Sequence, residues 1–144
     1  RPPRSTLFPY TTLFRSCAIA IAASVVGSLP AKALLRAPFL RLASMVLYGI
    51  AMALLLVDLV RTYGTEFHAS DAVIYAVNVY GLIHVGIGAL LSAFCIWRIR
   101  TGYVTENRLV DLLIAGLWNR YVAATTAIVA VYPYLLSLLQ GGGS

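Results

Sequence analysis

The feature that most constrains this chain is an uninterrupted apolar run, residues 72–97, that contains no Lys, Arg, Asp or Glu. A transmembrane helix needs about 20 consecutive apolar residues, and this run is long enough to provide them. Hydrophobic residues make up 60% of the chain and charged residues 11%, whereas a soluble domain has about 25% charged residues. The sequence therefore predicts a membrane protein.

Three further apolar segments occupy residues 17–29, 38–60 and 109–139. The segment 17–29 ends at Pro30 and is shorter than one full span, so we expect it to be truncated at its N-terminal side. The segment 109–139 is longer than one span, and its first turns are expected at the membrane interface. We predict an all-α membrane protein with about four transmembrane helices in an up-down bundle, the first of them truncated.

The first sixteen residues, RPPRSTLFPYTTLFRS, fit neither the helical nor the strand period. They can be back-translated in one frame into a string that resembles the universal adapter ligated to fragments for short-read DNA sequencing. The resemblance implies that residues 1–16 are an adapter-derived artefact and that the natural sequence resumes near Cys17, as the C-terminal piece of a longer protein. We accordingly expect a transmembrane domain over residues 17–140 and a flexible tail over residues 141–144.

The basic residues indicate an orientation in the membrane. Without the three arginines of the adapter-like segment, the formal net charge falls from +6 to +3. The basic residues near the first and third connections between apolar segments are Lys32, Arg36, Arg41, Arg98, Arg100 and Arg108. The positive-inside rule places these connections in the cytoplasm, and hence the C-terminus on the periplasmic side. The basic groups have no interleaved aromatic residues, so nucleic acid is not an expected partner.

His84 lies in the middle of the third apolar segment and has small residues beside it. Gly81, His84 and Gly88 fall on nearly one helical face, where glycines would let another helix approach and the imidazole could hydrogen-bond across the contact. Asn78 is interpreted as a second interhelical polar contact. A haem ligand or a proton relay is the alternative interpretation of His84. Two histidines would be needed to hold haem, and the second one, His68, lies in a connection on the far side.

Arg120 lies about a dozen residues inside the fourth segment, next to Trp118 and Tyr121. It is interpreted either as a ligand of a lipid phosphate or as a generic interfacial anchor that snorkels to the cytoplasmic surface. Arg98 and Arg100 are further candidates for lipid headgroups. Asp111 precedes Arg120 by nine residues, which places the two on opposite helical faces, so they are not expected to pair.

The cysteines Cys17 and Cys95 lie far apart inside apolar segments, where buried free thiols are expected. The sequence shows no CxxC pair and no other Cys/His spacing typical of a zinc or redox site. It also lacks a phosphate-binding glycine loop and a Ser/His/Asp set. We therefore expect no catalytic, cofactor-binding or metal-binding residues in this chain.

The stretch YAVNVYGLIHVGIGALLSAFCIWRIRTGYVTENRLVDLLIAGLWNRYVAATTAIVAVYPYLL resembles the last two helices of subunit III of haem-copper terminal oxidases. It is most similar to the subunit III portion at the C-terminus of bacterial fused subunit I+III chains. The His84-Val85 pair with its following glycines, the basic patch at 98–102, the aromatic residues Trp118 and Tyr121, and Pro133 carry the resemblance. Two of the family's positions differ, because its histidines appear here as Gly81 and as Arg120 of the Asn-Arg pair.

The resemblance implies a non-catalytic domain of a proton-pumping respiratory oxidase in the bacterial inner membrane. Subunit III of that family binds neither haem nor copper, packs on subunit I, holds lipids and supports proton uptake. The implied partners are subunit I, either separate or fused upstream, subunit II and membrane lipids, with haem and copper in subunit I. Two alternatives remain open, namely a haem b membrane anchor of a respiratory dehydrogenase and a fragment of a small transporter.

Overall fold

The computed structural model describes residues 8–62 and 69–141, which are helical apart from short connections. The five helices are α1 (Phe8–Gly27), α2 (Ala31–Arg36), α3 (Pro38–Thr62), α4 (Ala69–Arg100) and α5 (Val110–Gly141). Residues 142–144, within the expected tail, lie outside the described ranges. The predicted all-helical class is confirmed for the described part of the chain.

Three of these helices contain stretches that are long and apolar enough to cross a membrane. The stretches are Pro38–Arg61 in α3, Tyr75–Arg100 in α4 and Val110–Val131 in α5, with 24, 26 and 22 residues. In α1 the described apolar stretch is Phe14–Gly27, which is shorter than one span. Length and composition thus support a membrane protein with at least three candidate spans.

Helix α1 begins at Phe8, inside the segment that resembles a sequencing adapter. The residues between Pro9 and Ser16 include no helix-breaking glycine or proline, and a proline within the first turn is compatible with a helix. Ser16 is fully buried in this extension. The adapter-like residues therefore continue the helix of the apolar segment that follows them.

The short helix α2 was not predicted. Pro30 precedes it with φ −51° and ψ 135°, and Ala37 ends it with φ −125° and ψ 71°. Ala37 leaves the helical region because the ring of Pro38 disfavours a helical conformation in the residue before it. Ala31 and Leu34 of α2 are buried, so this helix packs against the ends of the longer ones.

The long helices pack as antiparallel neighbours. Atoms near the end of α1 meet atoms near the start of α3, and atoms near the end of α4 meet the start of α5. Further contacts join α3 with α4 and α1 with α5. One core cluster contains Cys17, Ala20, Ala23, Tyr48, Ala51, Leu55, Val85 and Val122. Alanines on α1 let the helices approach closely.

A structured turn joins α4 to α5. Gly102 has φ +75°, a left-handed conformation that glycine adopts without a steric penalty. The backbone amides of Tyr103 and Val104 both donate to the carbonyl of Arg98, and Val104 is buried. A second core cluster, made of Ala31, Cys95, Val104, Leu112 and Ala115, lies at this end of the molecule. The turn therefore fixes the register between α4 and α5.

Candidate functional site

Five polar side chains are buried together between α1, α3 and α5, and we call them the polar layer: Ser24, Arg41, Ser44, Tyr48 and Asn119. The Tyr48 hydroxyl donates to Asn119 Oδ1 at 2.7 Å and lies 2.9 Å from Ser24 Oγ. Ser44 Oγ donates to the carbonyl of Ala23 at 2.8 Å. These hydrogen bonds connect three helices, so the polar layer fixes their positions and rotations relative to one another.

Arg41 is the charged member of the polar layer, and its side chain has no exposed surface. Its Nη1 donates to the carbonyl of Gly27, the last residue of α1, at 3.1 Å. The C-terminus of a helix carries a partial negative charge, so the guanidinium both caps α1 and complements its dipole. Arg41 Nε and Nη2 make no hydrogen bond within the described part of the chain.

The apolar pattern predicted Arg41 as a loop charge and did not indicate the polar layer. The structure instead places Arg41 in the first turn of α3, pointing inward. One signal was available in the sequence. Arg41, Ser44 and Tyr48 follow one another at spacings of three and four residues, which puts three polar residues on one face of an otherwise apolar helix. Ser24 and Asn119 had no such signal.

Two glycines allow the helices to meet at the polar layer. A Cβ on Gly88 would lie 2.8 Å from Tyr48 Cζ, and a Cβ on Gly27 would collide with the Asn119 amide. Gly81, which was predicted together with Gly88, has a looser contact, with a methyl group of Leu55 at 3.6 Å from the Cβ position. Asn78 is 2% exposed, and its Oδ1 has no partner among the described residues.

His84 belongs to a cluster of four rings on α4 and α5, which we call the aromatic cluster: Tyr80, His84, Trp118 and Tyr121. Its ring stacks on that of Trp118, with centroids 5.6 Å apart and an interplanar angle of 5°. The hydroxyls of Tyr80 and Tyr121 lie 2.9 Å apart. His84 Nδ1 lies 2.8 Å from the carbonyl of Tyr80, so its hydrogen bond is made within α4, and its contact across helices is a stacked one.

A small cavity lies between α1, α4 and α5. Its volume is about 20 Å³, and its walls include Ser16, His84 and Thr125. A space of this size and polarity can hold a single water molecule. It is too small for a haem or another organic cofactor.

Of the residues suggested to bind lipid headgroups, Arg98 is the most engaged within the chain. Arg98 Nη1 lies 3.2 Å and 3.3 Å from the two carboxylate oxygens of Asp111. The guanidinium also lies over the rings of Phe94 and Tyr103, at 5.5 Å and 5.4 Å from their centroids. Arg100 is exposed at the end of α4. Arg98 therefore closes the turn between α4 and α5, while Arg100 remains accessible.

Arg120 is also exposed, and it makes no hydrogen bond or ion pair with the described part of the chain. Asp111 pairs with Arg98, in agreement with the prediction that its spacing from Arg120 prevents a direct pair. The flanking residues Trp118 and Tyr121 belong to the aromatic cluster and so do not cover the guanidinium's own face of α5.

Neither cysteine forms a disulfide, and both are buried, as predicted. Within residues 8–62 and 69–141, no three His, Cys, Asp or Glu side chains converge in an arrangement that could hold a metal ion. Several of the described polar residues instead form hydrogen bonds or ring contacts between helices.

Comparison of the chain with known protein families, with curated proteins and with solved structures finds no match.

Proposed function

We propose that this chain is a non-catalytic membrane domain of a haem-copper respiratory oxidase, similar to subunit III. In this proposal α1, α3, α4 and α5 form an up-down bundle of four membrane helices, the first of them shortened. The domain packs on subunit I, with subunit II and lipids as further partners, and supports proton uptake during oxygen reduction. Haem and copper belong to subunit I.

The main observation behind the proposal is that most residues of each candidate span are not buried by the rest of the chain. Only 28%, 22% and 22% of the residues in an apolar 18-residue stretch of α3, α4 and α5 are buried. Large apolar residues face outward along all three helices, for example Val46, Leu90 and Leu117. Such a surface suits contact with lipid and with another membrane subunit, whereas a domain with its own active site would enclose one.

The polar layer also supports a bracing role. The Tyr48 hydroxyl donates to the amide oxygen of Asn119, while Ser44 and the Arg41 guanidinium donate to backbone carbonyls of α1. These buried polar groups therefore hold helices together. A domain that stiffens a neighbouring redox subunit needs such internal connections.

The distribution of charge supports the proposed orientation. The ends of α1 and α4 and the starts of α3 and α5 meet at one end of the molecule, where Lys32, Arg36, Arg100 and Arg108 are exposed. The positive-inside rule assigns this end to the cytoplasm. The end of α5 then faces the periplasm of a bacterial inner membrane.

The proposal is tested by co-expression in a bacterium that lacks its own subunit III. The full chain carries a C-terminal affinity tag and is expressed either alone or with oxidase subunits I and II. We expect a reduced-minus-oxidised haem spectrum in the purified material only when subunit I is present. We also expect that the complex with this chain sustains oxygen consumption over more turnovers than subunits I and II alone.

Two results would contradict the proposal. Failure of subunits I and II to co-purify would remove the oxidase assignment. A haem signal from the chain expressed alone, lost in the His84→Ala variant, would favour the haem b anchor. A matched Tyr80→Phe variant, which keeps the ring beside His84, controls for general damage to the aromatic cluster.

A further inference from the structure

One edge of the Arg41 guanidinium has no acceptor in the chain. Arg41 Nη1 donates to the carbonyl of Gly27, whereas Nε and Nη2 are buried and have no hydrogen-bond partner among the described residues. Nε and Nη2 lie on the same edge of the planar guanidinium, where their N–H bonds run parallel and form the fork that binds anions. The polar layer thus contains a complete anion-binding edge that is sealed from the surface.

The positive charge of Arg41 is not neutralised by a carboxylate of the described chain. Glu106 and Asp111, the described acidic residues at this end of the molecule, each pair with another arginine. Asp58 lies 17 residues further along α3, which is about 25 Å at a rise of 1.5 Å per residue. The dipole of α1 supplies only about half an elementary charge. Buried charges are normally paired, so Arg41 requires a counter-charge.

Asn119 provides another free donor beside Arg41. Its Oδ1 accepts from the Tyr48 hydroxyl, but its Nδ2 is buried without a partner in residues 8–62 and 69–141. This nitrogen lies against Gly27, the residue whose carbonyl accepts from Arg41. An amide nitrogen can only donate, so Asn119 Nδ2 needs an acceptor at the same place as the guanidinium does.

Ser92 adds a donor from α4. Its hydroxyl is buried and unpartnered in the described structure, although a serine inside a helix commonly bonds the carbonyl four residues earlier. On the same face of α4, Gly88 meets the ring of Tyr48. Cys95, also on this face, interacts electrostatically with Arg41. Ser92 lies one turn from each of these two α4 residues, so its hydroxyl faces α3 at a level between Tyr48 and Arg41.

The chemistry of these free groups favours an anion over water. All four can donate a hydrogen bond, and the three nitrogens can do nothing else. A water molecule that accepted from two of them would still have to place its own protons on acceptors. An anion accepts from every direction and also neutralises the cation. The exposed basic residues at this end raise the local concentration of anions, and they are Lys32, Arg36, Arg100 and Arg108.

We propose that the polar layer binds one small monovalent anion of about the size of chloride, held by Arg41, Ser92 and Asn119. The anion accepts from the Nε/Nη2 edge, from the serine hydroxyl and from the amide nitrogen, and so links α3, α4 and α5. Because all four donor atoms are buried, the site suits a monatomic anion and excludes a lipid phosphate. The inference goes beyond the proposed function and requires only the folded chain.

The test measures thermal unfolding of the full chain in dodecyl maltoside micelles by circular dichroism. Bromide is the probe, and it replaces gluconate at constant ionic strength, so that general screening is unchanged. An anion that binds only the folded state raises the folding equilibrium constant. We expect about a tenfold rise once bromide reaches about ten times its dissociation constant, seen as a higher unfolding temperature.

Variants locate the bromide response. Asn119→Asp supplies a carboxylate to the guanidinium, so its unfolding temperature should no longer depend on bromide, and Arg41→Gln should lose the response as well. Ser92→Ala removes one donor and should raise the bromide concentration needed for the same shift about tenfold. Arg100→Gln is the matched control, because it removes an exposed cation at the same end and should leave the response unchanged.

Two results would overturn the inference. Equal unfolding temperatures in gluconate and bromide would mean that the free donors bond to water. A bromide response that persists in Asn119→Asp would mean that the halide acts elsewhere, and this variant decides the question even if Arg41→Gln does not fold. Both results are independent of which subunits co-purify with the chain, so the proposed function is tested separately.

Discussion

Two arginines lie within candidate membrane spans and have opposite environments. They are Arg41 in α3 and Arg120 in α5. Arg41 has no exposed surface and donates to the carbonyl that ends α1. Arg120 faces outward and has no partner in the described part of the chain. The chain therefore supplies a hydrogen-bond acceptor for Arg41, whereas the described part of it supplies none for Arg120.

The neighbours of each arginine explain the difference. Arg41 shares its face of α3 with Ser44 and Tyr48, whose hydroxyls find partners on α1 and α5. Arg120 shares its face with apolar residues. An arginine at the centre of a membrane helix costs about 2.5–3.5 kcal/mol on insertion scales. Arg41 avoids much of this cost through its position near the end of the span and the dipole of α1.

Charge reversal gives the largest expected contrast between the two sites. Arg41→Glu places a carboxylate beside the C-terminal carbonyls of α1, where repulsion and burial should destabilise the chain by about 3–5 kcal/mol. Arg120→Glu should leave the fold of the isolated chain nearly unchanged. Unfolding by SDS in mixed micelles, followed by circular dichroism, measures both. Equal losses of stability would show that the two arginines are not in different environments.

A smaller loss of stability is expected from a substitution where α3 and α4 meet beside the polar layer. Gly88→Ala adds a Cβ within 2.8 Å of the Tyr48 ring, and the overpacking should cost about 1–3 kcal/mol. Gly86→Ala is the matched control, because its Cβ would meet nothing within 4 Å and alanine favours the helix. The same SDS titration compares them. A Gly88→Ala variant as stable as Gly86→Ala would contradict the packing described here.

The polar layer itself is tested by Tyr48→Phe. The change removes the donor to Asn119 Oδ1 and the neighbour of Ser24 Oγ, and it should cost about 1 kcal/mol, within the range for interhelical hydrogen bonds in membranes. Tyr80→Phe removes a hydroxyl contact at a half-exposed position and should cost less. Urea or SDS titration of both variants ranks them. The reverse order would mean that the aromatic cluster, rather than the polar layer, holds the helices.

The sequence predicted the helices well and their contacts only in part. Apolar length located the segments of α3, α4 and α5, and Pro38 marked the start of α3, because these properties are local. The pairing of Tyr48 with Asn119 joins residues 71 positions apart, and no period of one helix tells which face of another it meets. Gly88 was recognised as a small residue on a candidate contact face, but Tyr48 as its neighbour was not. The inward direction of Arg41 was missed because basic residues near segment ends were assigned to loops.

The smallest effect is expected at Arg98, which lies between the two extremes because it is paired within the chain and still partly exposed. Asp111→Asn weakens its ion pair, whose side chains are 31% and 25% exposed, and should cost no more than about 1 kcal/mol. Glu106→Gln is the control, since its pair with Arg36 is 3.5 Å long and mostly exposed, and its loss should not be measurable. The effect of Asp111→Asn should shrink as salt is raised, because solvent ions screen a partly exposed pair. If the stability cost of Asp111→Asn did not change with salt, the Arg98–Asp111 pair would be shielded from solvent ions, as Arg41 is. That result would contradict the partial exposure of the pair.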